Sequence, residues 1–261
     1  MPVRSQPWPQ GTPCWVDLAS SDVAASTAFY GAVLGWSFFD SGAEYGHYTM
    51  CRVDGHDAAG IGPKQDPNQP TVWTVYFASD DADATAAAIT ENGGTVLMDP
   101  FDVAANGRMT VAMDPAGAAF GIWQAGGTIG SEIYNEPGGL TWEDARLGDV
   151  ETGRKFYTAV LGFRYQSLDG APGDYSLFSI GEGPLGGIGD MMGAPSGTPS
   201  HWLAYFAVAD ADSACSAAIR GGGTLLGGPM DTPFGRVAFL TDPDGAPFAL
   251  AGPLPDATNG R

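Results

Sequence analysis

The stretch DLASSDVAASTAFYGAVLGW at residues 17–36 returns as DARLGDVETGRKFYTAVLGF at residues 144–163, and this repeat is the strongest indication of the fold. Both copies run from one aspartate to a second, then through a Phe-Tyr pair to a Leu-Gly stop. The correspondence continues to the end of each half, where DPAG at Asp114 matches DPDG at Asp242. Repetition of this extent predicts two homologous domains.

A glycine- and proline-rich stretch separates the two copies. The segment AGGTIGSEIYNEPGG at residues 125–139 has the composition of a linker. We therefore divide the chain into a first domain at residues 1–130 and a second domain at residues 131–261.

Each half contains a shorter unit twice. The first unit has a strand at 14–18, a helix capped by Ser21 or Asp22 and ended by Gly35, and strands at 45–53 and 58–61. After the proline-rich stretch 63–70, the order restarts with a strand at 72–78, a helix at 81–92, and strands at 95–98, 108–113 and 119–123. The sequence therefore predicts an α+β fold of four βαβββ modules, two in each domain.

The composition limits the classes of partner. Thirty Asp and Glu against eleven Lys and Arg leave a net charge of −19, which opposes binding to nucleic acid and to anionic membranes. No apolar run is long enough to span a bilayer, and the N-terminus lacks the apolar core of a signal peptide. We expect a cytoplasmic monomer or homodimer. The unpaired spacing of Cys14, Cys51 and Cys215 predicts buried free thiols.

The repeated motifs resemble those of a known family. D-x6-FY-x3-LG-[WF] after a strand, DADA at residues 81–84, and DPxG before a last strand are similar to motifs of the vicinal oxygen chelate superfamily, which includes glyoxalase I, extradiol dioxygenases and bleomycin-resistance proteins. The likeness extends from about Gly11 to Pro253. The opening GTPCWVDL at residues 11–18 looks especially like two-domain actinobacterial glyoxalase-like proteins labelled as hydroxylases. The resemblance implies two glyoxalase/bleomycin-resistance-like domains, whose curled mixed sheets surround clefts with the helices outside.

The resemblance also implies where metal ligands would lie. Metal-dependent members carry His, Gln or Glu on the first strand of a module and Glu on the last strand. Here these positions hold the following residues: Trp15, Thr74 and Gly121 in the first domain, and Trp142, Leu203 and Ala249 in the second. None of these side chains suits a hard cation. We predict no metal ligands and no cofactor, and we keep a divalent metal as the alternative.

The cleft residues form the candidate site. Strand alternation places an aromatic residue and a carboxylate of each half on the same face, Trp15 with Asp17 and Trp142 with Asp144. The predicted ligand-binding residues are Trp15, Tyr76, Trp123, Trp142 and Tyr205. The predicted acid–base residues are His201, Asp144 and Asp17. His201 is the first candidate among them, because the first domain has Val72 at the matching position.

Three functions remain open at this point. The first is a metal-independent protein that binds a hydrophobic or aromatic metabolite or natural product, and sequesters it or assists its modification. The second is a glyoxalase-like lyase or isomerase, or a dioxygenase or hydroxylase, with a non-standard divalent metal site. The third is a structural or interaction protein in which the tryptophans and tyrosines pack in filled clefts.

Overall fold

The computed structural model describes residues 3–168, 170 and 173–255. The first domain contains β1 (Pro13–Ser20), α1 (Val23–Leu34), β2 (Ser37–Asp40), β3 (Thr49–Val53), β4 (His56–Pro63), β5 (Trp73–Ala78), α2 (Ala82–Glu91), β6 (Thr95–Val103), β7 (Gly107–Met113) and β8 (Ala119–Ala125). The second contains β9 (Leu140–Arg146), α3 (Val150–Leu161), β10 (Arg164–Ser167), β11 (Tyr175–Ser179), β12 (Gly186–Gly189), β13 (His201–Ala207), α4 (Ala211–Arg220), β14 (Thr224–Thr232), β15 (Gly235–Thr241) and β16 (Pro247–Gly252). The predicted order of four βαβββ modules is confirmed.

Each domain forms one mixed sheet of eight strands. The order is β2-β3-β4-β1-β5-β8-β7-β6 in the first sheet and β10-β11-β12-β9-β13-β16-β15-β14 in the second. The first strands of the two modules are antiparallel neighbours at the centre, with Trp15 opposite Tyr76 and Asp17 opposite Thr74. In the second sheet Trp142 lies opposite Tyr205. The repeat therefore gives both sheets the same arrangement of aromatic residues on one face.

Aspartate caps begin all four helices. Asp22, Asp81, Asp149 and Asp210 each accept a hydrogen bond from the backbone N–H three residues later. Such caps satisfy one of the free N–H groups of the first helical turn. Gly35 ends α1 with a φ of 72°, in the left-handed region that glycine adopts without strain. Of the two predicted caps of α1, the structure selects Asp22.

The region after α1 differs from the prediction. The strand predicted at 45–53 begins only at Thr49, because Ala43–Tyr45 form a 3-10 turn and His47 has a φ of 59°. The sequence analysis also missed β2, whose four residues are all exposed. An exposed edge strand has no alternation of apolar and polar residues, so its sequence does not show the period of two.

The helices of each domain lie on the sheet face opposite its cleft. Helices of the two domains pack against each other, α1 against α4 and α2 against α3. The Tyr30 hydroxyl of α1 donates to the carboxylate of Asp242 at 3.1 Å. At the related position, the Tyr157 hydroxyl of α3 donates to Asp114 at 2.8 Å. The Phe-Tyr and DPxG motifs of each domain therefore meet those of the other domain, and they hold the two halves together.

The cysteines and the lengths of the helices were also predicted. Cys14, Cys51 and Cys215 are buried free thiols, as predicted. Among the described residues, none of the helices combines the length and the apolar character needed to traverse a bilayer.

Candidate functional site

The face of each sheet that points away from the helices is lined by aromatic side chains. In the first domain Trp15 and Tyr76 are buried there, and Tyr48 and Trp123 pack against them. The second domain has Trp142 and Tyr205 at the corresponding place. These two surfaces are called the first cleft and the second cleft below.

The second sheet curls over its cleft. Strands β9 and β15 are separated by β13 and β16, so a flat sheet would hold them about 14 Å apart at roughly 4.8 Å per strand. Phe234, in the turn between β14 and β15, nevertheless has its ring centroid 6.3 Å from that of Trp142 on β9. Phe234 is 65% exposed and its ring is nearly parallel to the Trp142 indole. The edge of the sheet therefore bends back over the central strands.

Asp17 is the carboxylate of the first cleft. Its Oδ2 atom accepts hydrogen bonds from the hydroxyls of Tyr76 at 3.1 Å and Tyr48 at 3.3 Å. The Trp15 indole N–H donates to the Tyr48 hydroxyl at 2.9 Å, which fixes the orientation of that ring. Three aromatic side chains thus hold one carboxylate in place.

The environment of Asp17 changes its acidity. Burial raises the pKa of Asp17 to about 7, although the hydrogen bonds from Tyr76 and Tyr48 act in the opposite direction. A carboxyl group with this pKa exchanges its proton near neutral pH, so it has the acidity that general acid–base chemistry uses.

Trp123 lies at the rim of the first cleft, at the ends of β5 and β8. Its indole N–H donates to the Thr128 carbonyl at 3.0 Å. Together with Trp8 it walls a cavity of about 210 Å³, whose lining includes Ala78 but not Asp17. The structure therefore places Trp123 beside a small cavity that is separate from the carboxylate.

The second cleft differs in its polar groups. Asp144 is 1% exposed and pairs with Arg146, whose Nη2 atom lies 2.5 Å from Oδ2. The same carboxylate accepts hydrogen bonds from Tyr205 at 2.6 Å, Tyr175 at 2.8 Å and the Trp142 indole at 3.0 Å. A buried ion pair with this many donors is a fixed structural element, because removing one partner would leave an uncompensated charge.

His201 lies on the same strand face as Tyr205, opposite Arg146 in the pairing of β13 with β9. Its Nδ1 atom is 2.9 Å from the Pro199 carbonyl. Burial lowers the pKa of His201, and the positive charge of Arg146 lowers it further. The imidazole is therefore neutral near pH 7, and its Nε2 atom has no hydrogen bond with a protein group within 3–168, 170 and 173–255.

The structure does not bring the three predicted acid–base residues together. Asp144 and His201 belong to the second cleft, whereas Asp17 belongs to the first sheet and the first cleft. Any reaction at one cleft uses only the groups of that cleft.

The residues present do not fit a metal ion. Trp15 fills one of the family's ligand positions with an indole, and Thr74 stands at the next. A Cβ atom added to Gly121, where metal-dependent members have Glu, would lie 2.1 Å from Cδ1 of Tyr76. The Tyr76 ring therefore covers the position of the missing carboxylate. In the part of the chain that the structure describes, His, Cys, Asp and Glu form no group of three that could hold a metal ion.

Three polar residues of the clefts were missed by the sequence analysis. Tyr48 and Tyr175 occupy matching positions of the repeat, so their duplication was the signal that could have identified them. Arg146 gave no such signal, because Ala19 stands at the matching position of the first domain.

Comparison with known proteins places the chain among relatives of this fold. The model of the Glyoxalase/Bleomycin resistance protein/Dioxygenase superfamily matches residues 14–122 and 139–250. The protein named "Putative glyoxylase CFP32" in Mycobacterium tuberculosis is 38% identical over 98% of this chain and 99% of its own length. "Anthracycline biosynthesis protein DnrV" of Streptomyces peucetius is 39% identical over 92% of each chain.

Solved structures share the fold at low sequence identity. The Mn(II)-bound glyoxalase from Novosphingobium aromaticivorans superposes with a TM-score of 0.66 at 16% identity, over 94% of this chain and 83% of that chain. The 2,3-dioxygenase LapB from Pseudomonas sp. KL28 has a TM-score of 0.64 at 16% identity, over 94% of both chains. At these identities the likeness concerns the fold alone.

Proposed function

Because the chain belongs to the Glyoxalase/Bleomycin resistance protein/Dioxygenase superfamily, we propose that it uses the clefts of this fold to bind a hydrophobic or aromatic small molecule without a metal ion. The observation that carries this proposal is the replacement of the ligand positions. Trp15 stands at one, and the Tyr76 ring covers Gly121 at another. Apolar walls with a few fixed polar groups are the usual composition of a small-molecule site.

The relatives suggest a class of ligand. DnrV of Streptomyces peucetius, named for anthracycline biosynthesis, aligns over 92% of this chain. An anthracycline is a planar polycyclic aromatic compound, and the indole and phenol rings of the clefts offer it flat apolar surfaces. We therefore propose a planar aromatic natural product as the ligand, which the protein sequesters or presents to another enzyme.

A titration tests this function. We expect saturable binding of an anthracycline in isothermal titration calorimetry of protein that has been treated with chelator. Replacing a stacking tryptophan, in Trp15→Ala or Trp142→Ala, should weaken binding about tenfold or more, since such rings contribute on the order of 1–3 kcal/mol. Ile219→Ala is the control, because Ile219 is exposed on α4, and the helices lie on the sheet face opposite the clefts. If no aromatic ligand of a broad panel binds saturably, and both tryptophan variants change only stability, the proposal is wrong.

An enzymatic function is the second candidate. Two observations favour it: the 38% identical relatives are named as glyoxylases, and the second cleft places neutral His201 beside the Arg146–Asp144 pair. This candidate requires turnover, for example of a 2-oxoaldehyde adduct of a thiol, with or without added divalent ions. It also requires that His201→Ala or Asp144→Asn abolish turnover while the circular dichroism spectrum stays unchanged.

A further inference from the structure

The two clefts differ in the hydrogen bonding of their carboxylates. In the second cleft both oxygens of Asp144 are fully used. Oδ1 accepts from Tyr175 and Trp142, and Oδ2 accepts from Tyr205 and Arg146. This carboxylate has its charge compensated and its acceptor positions filled, so it offers nothing to a ligand.

In the first cleft only one oxygen of Asp17 is used. Both tyrosines, Tyr48 and Tyr76, donate to Oδ2. The Trp15 indole donates to the Tyr48 hydroxyl, whereas the matching indole of the second cleft donates to the carboxylate itself. Ala19 stands where the second domain has Arg146. Oδ1 has no protein donor in the described part of the chain. Asp17 is half-buried, and Oδ1 is not one of the fully buried side-chain atoms of that part, so this oxygen keeps some contact with the accessible surface.

The groups around this open oxygen are those that attract a cation. Trp15, Tyr48 and Tyr76 pack together in the cleft beside this carboxylate, and an aromatic ring attracts a cation that lies over its face. No Lys, Arg or His of the described residues forms an ion pair with Asp17. The net charge of −19 adds a long-range attraction for cations.

A ligand that covers this cleft removes water from Oδ1. Leaving a carboxylate oxygen without a donor in an apolar environment costs free energy, whereas an ammonium group supplies both a donor and the opposite charge. From the open oxygen and its aromatic walls we infer that the first cleft binds a molecule with an aromatic body and a protonated amine, whose nitrogen contacts Oδ1 of Asp17. This inference rests on the proposed function and specifies one chemical group of its ligand.

The test compares three probes of one shape by isothermal titration calorimetry: tryptamine, its alcohol analogue tryptophol, and indole-3-propionate. We expect tryptamine to bind about 10- to 100-fold more tightly than tryptophol, the range that a charge-assisted hydrogen bond supplies. Indole-3-propionate should bind most weakly, because its carboxylate meets a carboxylate.

Three variants locate the effect. Asp17→Asn keeps the shape of the side chain and should remove the preference for tryptamine over tryptophol. Ala19→Arg keeps Asp17 and introduces an arginine at the position of Arg146 in the second cleft. Because this arginine would pair with Asp17, the variant should also remove the preference for tryptamine over tryptophol. Asp99→Asn is the control, because Asp99 is exposed on β6 and makes no hydrogen bond or ion pair within the described residues. It removes the same charge and should leave the preference unchanged.

The outcomes separate the inference from the function. If tryptamine and tryptophol bind equally well, the amine inference is wrong and aromatic binding stands. If the preference survives both Asp17→Asn and Ala19→Arg in folded protein, the amine contacts another group and the inference is also wrong. If none of the three probes binds and the anthracycline does not bind either, the proposed function fails, and the inference fails with it.

Discussion

The contact between Tyr30 and Asp242 gives a sharp prediction about the junction of the two domains. The Tyr30 hydroxyl lies in the interior, where it donates to the Asp242 carboxylate at 3.1 Å and accepts from the Trp73 indole N–H at 2.9 Å. Tyr30→Phe removes only the oxygen atom. The variant therefore leaves a buried carboxylate oxygen without this donor and a buried indole N–H without its acceptor.

The size of the effect follows from these two losses. A hydrogen bond to a charged group contributes about 1.5–3 kcal/mol, and a buried donor left without a partner costs about 1–3 kcal/mol. These two free-energy costs are not fully additive, because the indole and the carboxylate relax together. We therefore expect Tyr30→Phe to lower the free energy of unfolding by about 2–4 kcal/mol. Asp242→Asn removes the charge from the same contact, so the two changes should not be additive.

Urea denaturation of the two single variants and the double variant measures this coupling. We expect a coupling free energy of about 1 kcal/mol or more, the range found for residues in direct contact. Tyr45→Phe is the control, because the Tyr45 hydroxyl makes no hydrogen bond within the described residues, and this variant should stay within about 0.5 kcal/mol of the wild type. A loss below about 0.5 kcal/mol in Tyr30→Phe would show that this contact does not hold the domains together.

Three further predictions concern the environment of the sheets. Burial raises the pKa of the fully buried Glu143, so its contribution to stability is present below about pH 4 and is lost as the pH rises toward its pKa in the folded protein. Glu143→Val, the residue of the first domain at this position, should therefore raise the melting temperature more at about pH 8 than at about pH 5. Arg146→Ala should cost about 3–5 kcal/mol in urea denaturation because it strands a buried carboxylate, whereas Arg154→Ala, with a more exposed partner, should cost about 0–1 kcal/mol. Gly121→Ala should destabilise by about 1–3 kcal/mol, and Tyr76→Ser should remove most of that penalty by removing the ring.

Each of these expectations has a contrary result. A melting-temperature gain for Glu143→Val that is equal at both pH values would show that the carboxyl group is already ionised in the folded protein at about pH 5, so that burial does not raise its pKa into this range. Equal losses in the two arginine variants would show that burial of the second-cleft ion pair has no special importance. If Gly121→Ala is neutral, the Tyr76 ring does not cover the family's ligand position.

Local sequence signals predicted much of the fold. The repeat identified both domains, and Asp22 and Gly35 marked the ends of α1, because helix caps depend on residues close in the sequence. Strand alternation likewise predicted that Trp15 and Asp17 share a face. The edge strand β2 was missed because all its residues are exposed.

The contacts of the site could not be predicted in the same way. Tyr48 reaches Asp17 from another strand, and no local pattern reports which side chains meet across a curled sheet. The Tyr157 hydroxyl meets Asp114 in the other domain, and the sequence contains no signal for this contact because the two motifs lie in different halves of the chain. Arg146 has no counterpart in the repeat, and the ion pair it forms depends on burial that the sequence does not show.

The proposed function depends on the aromatic clefts binding their ligand without a metal ion. The most direct measurement is calorimetric titration of chelator-treated protein with an anthracycline, before and after one equivalent of Mn²⁺ or Fe²⁺, with the metal content of each sample measured by elemental mass spectrometry. We expect saturable binding in the metal-free sample, with a Kd that changes less than about twofold when metal is added. Binding that appears only after a stoichiometric divalent ion is taken up would contradict it.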